Sequence, residues 1–224
     1  MAELIWKNDR NFNFYSTPKC GYNICNILAS KILENYKLEV FEANCIVVRD
    51  VYCRLISFYE NKIKINDTKK KRKRISSDGR FFILSGYYDY GNNRRDCSIK
   101  IDVSEKNKFF KHINFKKFIN IICKIDNNII ERHLAPQSRD VEDIKFKHKI
   151  LLDKDLISNF VKMLKNDFNI EENNFVPEYP NVSVSAGINN EITHKYFNKN
   201  MIVKVNHKYK RDFEKFENLK RIEV

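Results

Sequence analysis

Within the first 63 residues, a strand pattern twice turns directly into a helical one, and that alternation restricts the chain to few architectures. Phe12 and Phe14 alternate with polar neighbours up to Ser16, the period of two expected of a short strand. Pro18 ends that run, and from Tyr22 onward Ile24, Ile27, Leu28 and Leu33 fall at helical spacing. The β-branched run ANCIVVRD at 43–50 suits a strand buried on both faces. VYCRLISFYENKI at 51–63 then returns to helical spacing through Leu55, Ile56 and Tyr59. Strand, turn and helix in this repeated order predict an α/β fold around a parallel sheet, because parallel neighbours need a crossover long enough to hold a helix.

The remaining segments fit one domain spanning residues 1–224, a length sufficient to bury a proper core. NDTKKKRKRISSDG at 66–79 breaks the periodicity with charge and turn formers, and RFFILSGYYDYGNNRRDCSIKIDV at 80–103 has β-rich character. Together, residues 66–103 are expected to form a basic loop and β-rich insertion. Helices are predicted over 115–125, over 153–168 and near 208–216, and a strand over 144–152. Six cysteines, at 20, 25, 45, 53, 97 and 123, sit in apolar segments without Cys-x-x-Cys spacing. That pattern predicts buried, reduced thiols rather than a zinc site or a disulfide framework. No apolar run approaches the roughly 18 residues of a membrane span. The N-terminal MAELIWKNDRNF is too polar for a secretory signal. A soluble, cytoplasmic protein is therefore expected.

Both strand-to-helix corners carry cations. Such a corner leaves backbone N–H groups unpaired and adds the positive end of a helix dipole. At the first, Gly21 permits close backbone approach and Lys19 supplies a mobile charge. The Walker A pattern is absent. At the second, Arg49 ends the strand and Ser57 follows eight positions on, so a guanidinium fork and a hydroxyl are available for phosphate oxygens. Two adjacent corners of this kind suggest a ligand with two phosphate-like ends, although an ordinary helix-start turn explains the first taken alone.

These residues carry a family resemblance. TPKCGYNI at 17–24 resembles the 5′-phosphosulfate loop of sulfotransferases, typically Pro-Lys-x-Gly-Thr-Thr. VVRDVYCRLISFYENK at 47–62 resembles their 3′-phosphate motif, with Arg-Leu-x-Ser-x-Tyr intact as in the carbohydrate (Golgi-type) sulfotransferases. ERHLAPQSRD at 131–140 is similar to that family's His-x-x-Pro-Gln segment, and HKYKRDFEKF at 207–216 to its terminal Tyr-x-x-Asp-Phe-x-x-Phe. Tyr22 and Asn23 stand where the family usually has two hydroxyl residues, Val51 replaces its usual proline, and the segment between the two motifs is short.

The resemblance implies a P-loop-like, three-layer sulfotransferase fold with a central parallel sheet. It also implies sulfuryl transfer from 3′-phosphoadenosine 5′-phosphosulfate (PAPS) to a hydroxyl of a glycan or a hydroxylated small molecule, with no metal. Lys19 would stabilise charge on the leaving phosphate, and Cys20, Gly21, Tyr22, Asn23 and Ile24 would complete the loop around the 5′ end. Arg49 and Ser57 would hold the 3′-phosphate. His133, beside Pro136 and Gln137, is the candidate catalytic base among the histidines at 112, 133, 148, 194 and 207; Glu131 and Glu142 stay open as alternatives. Arg54 is expected to brace its helix.

A net charge of +13 implies attraction to a polyanion without choosing which. KKKRKR at 69–74 is either a solvated loop, an arm for an acidic glycan, or a nuclear-localisation run. A rival reading is therefore a non-catalytic protein of the same fold that binds nucleic acid or acidic polymer through its basic surface.

Overall fold

A computed structural model describes residues 3–7, 12–17, 25–26, 28, 43–60, 114–127, 130, 133–153, 155–168 and 195–224. The described strands are β1 (Glu3–Lys7), β2 (Phe12–Ser16), β3 (Ala43–Val48) and β4 (His148–Leu151). The described helices are α1 (Val51–Phe58), α2 (Phe115–Ile122), α3 (Leu156–Phe168), α4 (Lys199–Lys208) and α5 (Lys210–Lys215).

The strands form one sheet in the order β1-β2-β3-β4. β2 and β3 run parallel from Phe12↔Ala43 to Ser16↔Val47, and β3 and β4 run parallel from Cys45↔His148 to Val48↔Leu151. The parallel α/β arrangement expected from the alternating patterns is present. β1 adds an antiparallel strand that the sequence reading did not anticipate, paired from Glu3↔Ser16 to Lys7↔Asn13 with a register shift between Leu4 and Trp6. Its apolar residues Leu4, Ile5 and Trp6 are contiguous rather than alternating, so the period-two signal is missing.

β3 lies at the centre, and Cys45, Ile46, Val47 and Val48 are fully buried, as a strand covered on both faces requires. α1 follows after Arg49 and Asp50. Its N-cap is Asp50, whose carboxylate accepts the Cys53 amide at 2.8 Å, and every residue from Val51 to Phe58 is buried. Its α-helical part reaches Phe58, Tyr59 and Glu60 follow in a wider, π-type turn, and positions 61–63 of the predicted 51–63 lie outside the described residues. β4 is shorter than predicted, although its flanking residues extend the contact with β3: Lys147 N–H donates to Asn44 O (3.0 Å) and Leu152 N–H to Val48 O (2.7 Å).

α2 is capped by Asn114, which accepts the Lys117 amide at 2.9 Å. Its buried Phe118 stacks on Phe58 of α1 at 6.0 Å, and Phe115 meets Tyr59 and Phe197 edge-on at 5.1 and 4.9 Å. That aromatic cluster ties α1 to α2 and to the entry into α4. α4 was not predicted; only the region of α5 was. Asn198 caps it by accepting the Met201 amide at 3.0 Å, and Met201, Ile202 and Val205 are its buried residues. Cys25, Cys45 and Cys53 are buried thiols and Cys123 is half-buried. The insertion at 66–103, with the basic run at 69–74 inside it, falls outside the described residues. Among the described residues, no helix is long and apolar enough to cross a membrane.

Candidate functional site

β2 and β3 are adjacent and parallel, so both chains leave the sheet at the same edge. Their ladder ends at Ser16↔Val47, and Thr17 and Arg49 emerge just beyond it. Thr17 is buried, and Arg49 is only 5% exposed. The predicted loop residues Lys19, Cys20, Gly21, Tyr22, Asn23 and Ile24 lie outside the described residues. Cys25 and Leu28, in the helical stretch that follows, are buried. Ser57 is buried in the last turn of α1, about 9 Å along the axis from its first residue.

One side chain joins the two strand ends. The Gln137 carboxamide oxygen accepts the Thr17 hydroxyl at 2.9 Å and the Arg49 amide at 2.9 Å. Its nitrogen donates to the Arg49 carbonyl at 2.8 Å. Gln137 comes from the turn at 133–140, which the C-terminal helices fix in turn. Asp212 of α5, fully buried, accepts the Gln137 amide at 2.9 Å on Oδ2. On Oδ1 it accepts the Ser138 amide at 2.8 Å and the Ser138 hydroxyl at 2.7 Å. Arg54, also fully buried, donates to Ala135 O at 2.7 Å, approaches Asp212 at 3.9 Å and lies 5.7 Å over the Tyr209 ring. Tyr209 donates its hydroxyl to Leu134 O at 2.6 Å, and burial pushes its phenol well above the usual value. Arg54 is thus a brace, as expected, but it braces the 133–140 turn against α1 rather than α1 alone.

Asp50 follows Arg49 directly, and burial, the dominant influence, pushes its carboxyl above the ordinary aspartate value despite the Cys53 amide and Arg49 nearby. Burial also pushes the Cys53 thiol up to about 12, so it is protonated at neutral pH and serves as packing.

His133 opens the same turn, half-buried, with its ring 6.4 Å from that of Phe58, the neighbour of Ser57. Of the alternatives, Glu142 is exposed and accepts from Arg211 at 2.8 Å, and His148 stands in β4. Glu131, His112 and His194 lie outside the described residues, and His207 is exposed on the last turn of α4. A separate hollow of about 590 Å³ lies between β4 and α3, where Lys147, Lys149 and Lys162 meet Asp153 and Glu217; Arg49, Ser57, His133 and Gln137 are not among its walls.

The sequence reading did not single out Thr17, Gln137 or Asp212 as site residues. Each belongs to a quoted motif segment, so the signal was present, but no local pattern says that the three segments meet. A model of the sulfotransferase family matches residues 11–217, a span that holds β2, both corners, the 133–140 turn and α5. No curated protein and no solved structure matches the chain.

Proposed function

Because the chain belongs to the sulfotransferase family, we propose that it moves a sulfuryl group from PAPS to a hydroxyl of a carbohydrate or another acceptor, releasing adenosine 3′,5′-bisphosphate. The observation that supports this most is the shared exit of β2 and β3 at one sheet edge, with the Arg49 corner beside the strand that leads into the Lys19 loop. The described groups suit the donor nucleotide: a buried guanidinium at Arg49 and a buried hydroxyl at Ser57.

In this reading Arg49 and Ser57 bind the 3′-phosphate and select the bisphosphorylated nucleotide. Gly21, Tyr22, Asn23 and Ile24 offer amides to the 5′ end, with Cys20 inside the same loop. The donor supplies an activated sulfuryl group on a phosphate leaving group. The acceptor oxygen attacks sulfur, the bond from sulfur to the 5′-phosphate oxygen breaks, and the electron pair stays on that phosphate. Lys19 stabilises the charge developing there, and His133 takes the acceptor proton. Positioning and charge stabilisation carry the rate, as in phosphoryl transfer, without a metal.

The test is a thermal-shift titration with adenosine 3′,5′-bisphosphate. A ligand bound only by the native state at 100 times its Kd adds about 2.7 kcal/mol, a Tm rise of about 5–10 °C for a chain of this size. Arg49→Ala removes the rise. Labelled-sulfate transfer to a panel of glycans and small alcohols then identifies the acceptor. A second reading, a non-catalytic binder of acidic polymer, draws on the net charge of +13. It gains if heparin or DNA stabilises the protein while the bisphosphate leaves Tm unchanged.

A further inference from the structure

We propose that Gln137 is a positioning residue for the donor: its carboxamide sets the spacing between the two strand ends that flank the nucleotide's two charged groups. This rests on the functional reading above. The β2–β3 ladder stops at Ser16↔Val47, so sheet pairing no longer fixes where Thr17 lies relative to Arg49. At that point the Gln137 side chain takes over, bonding Thr17 Oγ1, Arg49 N and Arg49 O at 2.8–2.9 Å.

A primary carboxamide is the group this place requires. Its oxygen accepts from two donors while its nitrogen serves the carbonyl. A carboxylate lacks the donor, and a cationic side chain lacks the acceptor. The clasp is itself anchored: Asp212 holds the Gln137 and Ser138 amides, and Arg54 holds Ala135 O. Gln137 and Ser138 are each 3% exposed and Asp212 is fully buried, so water does not compete for these bonds.

A ligand charged at both ends senses that spacing, whereas one held at a single corner does not. Calorimetric titration of wild type and Gln137→Ala with adenosine 3′,5′-bisphosphate and with adenosine 5′-phosphate separates the two cases. Misplacing one of two binding groups by about 1 Å is expected to weaken the bisphosphate about tenfold or more, with the monophosphate changed less than about twofold. In turnover, the donor KM rises while kcat is largely kept. Thr17→Val, close in shape, cuts only the tie to β2 and is expected to give the same split in smaller measure; it carries the test if Gln137→Ala does not fold. A folded variant that keeps the wild-type preference for the bisphosphate overturns the inference, as does equal weakening of both nucleotides, which marks a general packing role. A wild-type protein that ignores the bisphosphate overturns the functional reading itself.

Discussion

Asp212 concentrates more consequence than any neighbouring residue. Its two oxygens accept three hydrogen bonds from Gln137 and Ser138, and the Arg54 guanidinium stands 3.9 Å away, both partners fully buried. Removing the carboxylate leaves two amides and a hydroxyl without their acceptor and takes a buried negative charge away from the Arg54 guanidinium. Asp212→Ala is therefore expected to cost about 3–5 kcal/mol, lowering Tm by about 6–20 °C in a chemical- or thermal-unfolding comparison. A loss below about 1 kcal/mol would mean that the turn at 133–140 is held by its apolar contacts instead. Cys53 offers a second test at this scale. Burial holds its thiol near 12, so alkylation followed by peptide mass analysis is expected to leave it unmodified in the native protein and to label it on unfolding. Rapid native labelling would place that helix face in contact with solvent.

α1 begins on a carboxylate that does two opposing things. Asp50 caps the helix through the Cys53 amide, yet burial raises its pKa above the ordinary value of 3.8. A folded state that binds the proton more tightly than the unfolded one is favoured most below that value, and the advantage is lost as pH rises through the raised folded-state value. At neutral pH the charged form is the costly one. Asp50→Asn keeps the cap without the charge, since the two residues cap about equally well. It is expected to be more stable than wild type at pH 7, with the difference shrinking as the solution is acidified. Asp50→Ala, which loses the cap, forgoes about 1 kcal/mol relative to Asn. Denaturant melts across pH 4–8 read both; a gap between wild type and Asn that stays flat with pH removes the argument. β2 and α1 were legible in the sequence because their periodicities are strong, β3 because its β-branched run is continuous, and Pro18 marks where the β2 run stops. α4 was less so: Asn198 signals a cap, but Val203 is 56% exposed and the β-branched residues blur the stripe formed by Met201, Ile202 and Val205. The clasp was not legible at all. Thr17 and Gln137 are 120 positions apart, and resemblance marks the segment around Gln137 without saying what its side chain touches.

Across the whole molecule, the charge of +13 acts at a range that the corner chemistry does not share. Fields from exposed cations reach about 10 Å at 0.1 M salt and about 3 Å at 1 M, whereas a guanidinium on a buried phosphate is screened far less. The run KKKRKR at 69–74 holds six of the positive charges, and replacing all six with Gln lowers the net charge from +13 to +7. If the run gathers an acidic acceptor, heparin binding by the Gln variant is expected to weaken and its dependence on salt to flatten, while the affinity for adenosine 3′,5′-bisphosphate stays within about twofold of wild type. Arg49→Ala is expected to do the reverse, abolishing the bisphosphate shift with heparin affinity little changed. These opposite responses separate an acceptor-gathering surface from a donor site. Parallel loss of both ligands in the Gln variant would instead put the run inside the donor site, and the division of labour between surface and corner would have to be abandoned.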